Sequence, residues 1–290
     1  MEPALPDFDD WWDYHKPDKT EAKFRALLPR AEEARDRSYL VQLLTQIARA
    51  QGLQRQFAEA HATLDRAQTL LSDDLTQAQI RYLLERGRVI NSSNHPDEAR
   101  PLFLGAWERA SAAHEDLYAI DAAHMLGIIE PPEEQLTWDL KALALAEQTS
   151  DIRAKKWPGS LYNNIGWTYH DMGDYTQALA FFQKALAFQE QRGKTAEIRI
   201  ARWAVARARR SLGQIDAALA MQRALLQEFE QSGETSGYVY EELGECLLTQ
   251  GQQAQAKRYF ALAYAELSKD PWLAEKEPAR LERLKTLGSA

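Results

Sequence analysis

An all-α fold, a solenoid of about six helix pairs with a capping helix at each end, is predicted by three observations. Helix-forming Ala, Leu, Gln, Glu and Arg abound, while Gly and Pro number only 14 and 11 in 290 residues. A unit of helix, tight turn and second helix recurs along most of the chain. Within each unit small residues fall where the two helices must cross closely.

The clearest unit is residues 161–186, LYNNIGWTYHDMGDYTQALAFFQKAL. Gly166 is followed by Tyr169 and the turn glycine Gly173, then by Tyr175, Ala178, Phe182 and Ala185 at helical spacing. Anchoring on Gly166, the equivalent small positions of the first helix (helix A) are Ala48, Gly87, Ala123, Ala206 and Gly244, 36 to 43 residues apart. The turn column seven residues on holds Arg55, Asn94, Glu130, Gly173, Gly213 and Gly251. The second helix (helix B) carries Ala60, Ala99, Gln135, Ala178, Ala218 and Ala256, then Ala67, Ala106, Ala142, Ala185, Leu225 and Ala263. Its large position holds Leu64, Phe103, Asp139, Phe182, Gln222 and Phe260.

This spacing is similar to that of the tetratricopeptide repeat, and the resemblance covers about residues 39–267. It implies repeats at 39–72, 78–112, 115–148, 159–192, 197–231 and 236–268, in a single right-handed solenoid domain over 17–290 behind an acidic aromatic segment, 1–16. The third unit departs, with Gln135 and Asp139 in seam positions and Pro131-Pro132 opening its helix B; Pro is tolerated in a first helical turn. The fifth has Gln222 and Leu225 where an aromatic and an Ala are expected, which points to a one-residue shift of its helix B. The period exceeds the family's ~34 residues, implying longer helices.

A solenoid needs capped ends. Residues 19–35 form a helical pattern with Phe24, Leu27, Leu28 and Ala31 on one face, bent or split at Pro29. At the other end 272–288 forms the cap, with Leu281, Leu284 and Leu287 at helical spacing. Residues 7–14, DFDDWWDY, show no regular structure, and hold four acids and four aromatics.

The resemblance implies that helix A of each pair lines the concave, ligand-facing surface. Positions −3, +1 and +4 from each anchor then share one face. They give the candidate peptide-binding groove Arg49, Arg88, His124, Asn163, Trp167, His170, Trp203, Arg207, Arg210, Glu241 and Glu245. Arg and Trp combine apolar contact with directional donors, as binding surfaces require. The columns describe a positive channel with an aromatic centre and an acidic far end, suited to an acidic, aromatic peptide. The alternative is that the arginines pair with carboxylates of neighbouring helices and that Trp167 and Trp203 are packing residues. Asn163, in a stretch that resembles peptide-clamping helices of the family, offers a donor and an acceptor to a peptide backbone, but its equivalents elsewhere are not Asn.

Composition narrows the rest. With 45% hydrophobic and 27% charged residues the chain reads as globular. The net charge of −8 opposes phosphate-backbone binding, leaving single-stranded nucleic acid as a third reading. Cys246 is the one cysteine and reads as a buried apolar residue. The N-terminus lacks a secretory pattern and no run is long enough to span a membrane, so a cytoplasmic setting is expected. Neither a nucleophile motif nor a Gly-rich phosphate loop is present, and the six histidines are scattered. The expectation is a non-enzymatic, cofactor-free scaffold that binds a protein or peptide partner. The alternative is a peptide- or small-molecule-sensing module acting through a separate effector. Residues 7–14 have the chemistry such a groove selects; they either fold back to occlude it or cap the first repeat, and self-association through them or through the solenoid ends is a further expectation.

Overall fold

The structure, a computed structural model, describes residues 5–289. It forms two compact units, Met1–Trp157 and Pro158–Ala290. Three of the expected helix pairs fall in each, and among the described residues there is no strand.

In the first unit a 3-10 turn, Phe8–Trp11, precedes α1 (Pro17–Glu33). The helix pairs follow as α2 (Arg37–Leu53) with α3 (Phe57–Thr69), α4 (Thr76–Ser92) with α5 (Pro96–Ala112), and α6 (Asp116–Ile129) with α7 (Pro132–Gln148). In the second unit the pairs are α8 (Pro158–Asp171) with α9 (Tyr175–Arg192), α10 (Thr195–Ser211) with α11 (Ile215–Ser232), and α12 (Gly237–Thr249) with α13 (Gln253–Leu267). A short α14 (Pro271–Lys276) and the capping α15 (Pro278–Ser289) close it. Each A helix packs on its own B helix, and α15 packs on α13.

The crossing of A on B explains the small and large columns. A Cβ on Gly87, Gly166 or Gly244 would lie 2.5, 2.5 and 2.7 Å from the rings of Phe103, Phe182 and Phe260. No real Cβ approaches so closely, so the aromatic ring rests on bare backbone. Where the anchor is Ala48, Ala123 or Ala206, the partner column holds the smaller Leu64, Asp139 or Gln222. All six residues of that column are buried. Core packing at crystal-like density forces this exchange of volume between the two helices.

The turn column is a conformational requirement. Arg55, Asn94, Gly173, Gly213 and Gly251 all adopt positive φ, between 62° and 81°. Glu130 alone is extended, at φ −83° and ψ 160°, because Pro131 disfavours a helical residue before it.

Three expectations need correction. α1 runs unbroken through Pro29 and is not split there; Pro29 lies on the exposed side of the helix. Helix α11 is not shifted: Gln222 and Leu225 are both buried in the expected register. Residues 7–14 are not irregular throughout, since Asp7 caps the 3-10 turn by accepting from the Asp9 amide at 3.0 Å. The caps are as expected, with Phe24, Leu27, Ala31, Leu281 and Leu284 buried, and so is Cys246, whose thiol burial pushes up to about 11.

Two predictions follow from the column. Gly166→Ala is favoured by helix propensity by about 1 kcal/mol, yet the clash with Phe182 makes it destabilising by about 1–3 kcal/mol in urea unfolding. Adding Phe182→Leu recovers much of that loss; additive effects of the two changes would show that the close crossing is not the cause. Asp139 lies on Gly127 with Oδ1 unpartnered, and burial pushes its carboxyl up to about 7. Between about pH 4 and 7 the folded chain keeps a proton that the unfolded chain releases, so stability falls as pH rises through this window, by up to about 1.4 kcal/mol per unit, and is level above it. Asp139→Leu, copying Leu64, raises stability at pH 8 and flattens the profile; an unchanged slope in denaturation at pH 5 and 8 sinks the assignment.

Candidate peptide-binding face

Within each unit the A helices exchange ion pairs from one repeat to the next, and the first unit shows how the charges are used. Arg49 of α2 donates to both oxygens of Glu85 on α4 at 3.2 Å. Arg88 donates to the same Glu85 at 2.8 Å and to Asp121 of α6. Burial alone would raise Asp121, but Arg88 and Arg49 outweigh it and hold the carboxyl below its ordinary range. His124 packs edge-on against Trp157 at 5.1 Å, and burial lowers its pKa, so it adds no positive charge at neutral pH.

The second unit repeats this chemistry. Arg210 donates from Nε to Glu242 at 2.7 Å, and Arg207 donates to the other oxygen of the same carboxylate. Glu242 is 1% exposed; the two arginines overcome the effect of burial and hold it ionised. Glu241 and Glu245, expected as an acidic end, are met by Arg280 and Arg283 of α15. The aromatic centre is continuous: Trp167 lies 5.7 Å from Trp203, and Trp203 5.8 Å from Tyr238. The Trp203 indole N–H donates to the Tyr238 carbonyl at 3.1 Å. His170 contacts Ser211 at 2.9 Å, and burial first, with Arg207 second, lowers its pKa.

In each unit, therefore, each arginine of the candidate set is on a carboxylate. Six of the candidate residues, Trp167, Trp203, Arg207, Arg210, Glu241 and Glu245, converge on one cavity of about 420 Å³ in the second unit, with Tyr238, Glu277, Arg280 and Arg283. Asn163 sits half-buried one turn before Trp167 on α8 and does not line it. Arg49, Arg88 and His124 belong to the first unit. A second cavity of about 760 Å³ lies further along α10 toward its N-terminus, walled by Ala196, Ile200, Trp203, Phe229, Tyr238 and Val239, with Arg199 at its edge. Trp203 and Tyr238 belong to both cavities.

The residues that sequence reasoning missed have a common address. Glu85, Asp121 and Glu242 stand two positions before the anchors Gly87, Ala123 and Gly244. An arginine one position after an anchor pairs with the carboxylate two positions before the next, as Arg49 does with Glu85, Arg88 with Asp121 and Arg207 with Glu242. Reading that second column beside the first would have found the ladder. Arg280 and Arg283 had no such signal, since they lie outside the repeats. Among the described residues no three His, Cys, Asp or Glu side chains gather to hold a metal ion, and no helix is long and apolar enough to cross a membrane.

The tetratricopeptide-repeat sequence model matches residues 160–191. Among curated proteins none matches the chain. Among solved structures, a signal-transduction ATPase with numerous domains and a tetratricopeptide-repeat sensor, from Pyrococcus horikoshii, superimposes with TM-score 0.69 at 16% identity, over 93% of this chain and 42% of its own. The apo form of RapI gives TM-score 0.69 at 13% identity, over 91% and 76%. The Rap conjugation gene regulator of plasmid pLS20, in complex with the Phr* peptide, gives 0.54 at 17% identity, over 87% and 74%. These likenesses extend the fold beyond the single matched repeat. Residues 160–191 thus match a tetratricopeptide repeat, and the helix pairs on either side follow the same plan of helix, turn and helix.

Proposed function

We propose that the chain is a non-catalytic protein-interaction module whose A-helix face captures a peptide segment of a partner. The observation that carries this is the pair of cavities along α10, one apolar and one lined by ion pairs, joined by Trp203 and Tyr238. A large apolar side chain of the ligand enters beside Ile200, Phe229 and Val239. Its neighbouring backbone and polar groups meet the arginines and glutamates of the smaller cavity. The sequence pattern alone favours an acidic ligand; with Arg207 and Arg210 held by Glu242, the apolar anchor sets affinity here and charge sets orientation.

A second reading has support from the solved relatives, one carrying a repeat sensor and one bound to a peptide. The same face would then report a peptide to a separate effector. The chain spans less than half of the sensor-bearing ATPase, so the effector functions of that protein are not carried over.

Selection from a random peptide library tests the face directly. Enriched peptides are expected to share a large apolar residue flanked by polar ones. Ile200 is 58% exposed, so Ile200→Asp leaves the melting temperature unchanged. Burying one such side chain is worth about 1.5–3 kcal/mol, so that variant is expected to bind selected peptides at least about tenfold more weakly. Unchanged affinity, or no enrichment at all, removes the proposal.

A further inference from the structure

Arg81 is a buried guanidinium on α4, and the carboxylate bonded to it comes from 72 residues earlier in the chain. Asp9 accepts from Nη2 at 2.6 Å and from Nη1 at 2.7 Å, a two-point pair. The Arg81 side chain is 7% exposed; its remaining bonds, to Gln42 at 3.4 Å and to the Tyr118 hydroxyl at 3.3 Å, are to neutral groups. Phe8 is buried edge-on against Tyr39 and Phe24, with Arg81 over its ring at 5.3 Å. Trp12 donates its indole N–H to Gln46 at 3.0 Å and lies with Tyr14 under the guanidinium of Arg49. The outer side of this segment is open, with Asp7, Asp9, Asp10, Tyr14, His15 and Lys16 exposed.

We propose that the A-helix face of α2, α4 and α6 is a recognition site for a peptide bearing an aromatic residue, an adjacent acid and a tryptophan three residues after the acid, and that Phe8–Trp12 is its resident ligand, exchangeable for a partner segment of the same chemistry. The position of the segment separates this from a cap. The end of the repeat array is already covered by α1, whose Phe24, Leu27 and Ala31 are buried against Leu43 and Ile47. The segment instead runs across repeats, from Tyr39 and Gln46 of the first to Arg81 of the second, which also bonds Tyr118 of the third. A buried cation without an acid is costly, whereas an incoming carboxylate restores the pair. Selection for acid over amide is therefore built into Arg81, and selection for aromatics into the Phe8 and Trp12 seats. This site is separate from the cavities on α10, so each proposal stands or fails alone.

The test uses the full chain and a labelled peptide of residues 5–15, LPDFDDWWDYH. In the wild type the tethered segment competes at a high effective concentration, and the peptide binds weakly. Phe8→Ser with Trp12→Ser frees the site without removing the partner of Arg81 by mutation, and binding is expected to strengthen at least tenfold. Adding Arg81→Gln, or using a peptide with its acid at position 9 changed to Asn, abolishes that gain. A second arm inserts a protease site between the exposed His15 and Lys16; after cleavage of the folded chain, the freed segment exchanges with labelled peptide. Equal binding by wild type and release variant, binding that survives Arg81→Gln, or a cleaved segment that never exchanges overturns the proposal. Loss of the cooperative helical melt in the release variant also overturns it, because the segment is then part of the core. A stable wild-type dimer in sedimentation would give the seat to a second copy and likewise overturn it.

Discussion

Everything in this molecule depends on how closely helix A can approach helix B. At Gly87, Gly166 and Gly244 an aromatic ring lies where a Cβ would be. That contact sets the separation of each pair, and the separation sets which side chains of helix A remain for other work. Interior packing leaves no slack, so a larger residue on one helix requires a smaller one on the other. The repeats obey this even where the residues are unusual. Asp139 and Gln222 occupy an aromatic position against alanine anchors, at the expense of buried polar atoms without partners. Buried polar groups of this kind weaken a core, and each marks a B helix that can be stabilised without touching the ion pairs of the A helices.

With that spacing imposed, the A-helix face becomes a surface of paired charges rather than a positive one. The ladder from one repeat to the next joins Arg49 to Glu85, Arg88 to Asp121 and Arg207 to Glu242. Such pairs, largely buried, contribute little net stability, but they fix the register of neighbouring repeats, because an arginine left alone there would be strongly unfavourable. The donors and acceptors of these pairs are thereby oriented and held in place. Arg81 is the exception, since its acid arrives on the N-terminal segment rather than on the next helix.

The two ends of the chain take part in this surface in different ways. Helix α15 caps the last repeat through Leu281 and Leu284 and also sends Arg280 and Arg283 to Glu241 and Glu245. Residues 7–14 pass over α1 and occupy the face of the first unit. In both units the A helices therefore form ion pairs with groups from outside the repeats, and repeat patterning is blind to these.

The sequence by itself determined the helix pairs and the places of the two caps, though it misjudged the register of α11 and the continuity of α1 at Pro29; the pairs follow from local rules: helical periodicity, small residues at crossings and a left-handed residue at five of the six turns. Even the defects at Asp139 and Gln222 were visible as departures from a column. It also picked out Trp167, Trp203, Arg207, Arg210, Glu241 and Glu245, which one cavity gathers. Only the tertiary structure decided what those charges face. Whether an arginine meets a ligand or a carboxylate depends on residues 32 to 39 positions away, as with Arg210 and Glu242 or Glu241 and Arg280. The seat of Asp9 on Arg81 spans 72 residues and has no periodic signature. Helical periodicity says which side of a helix a residue occupies; the distance between two such sides is a property of the packed chain.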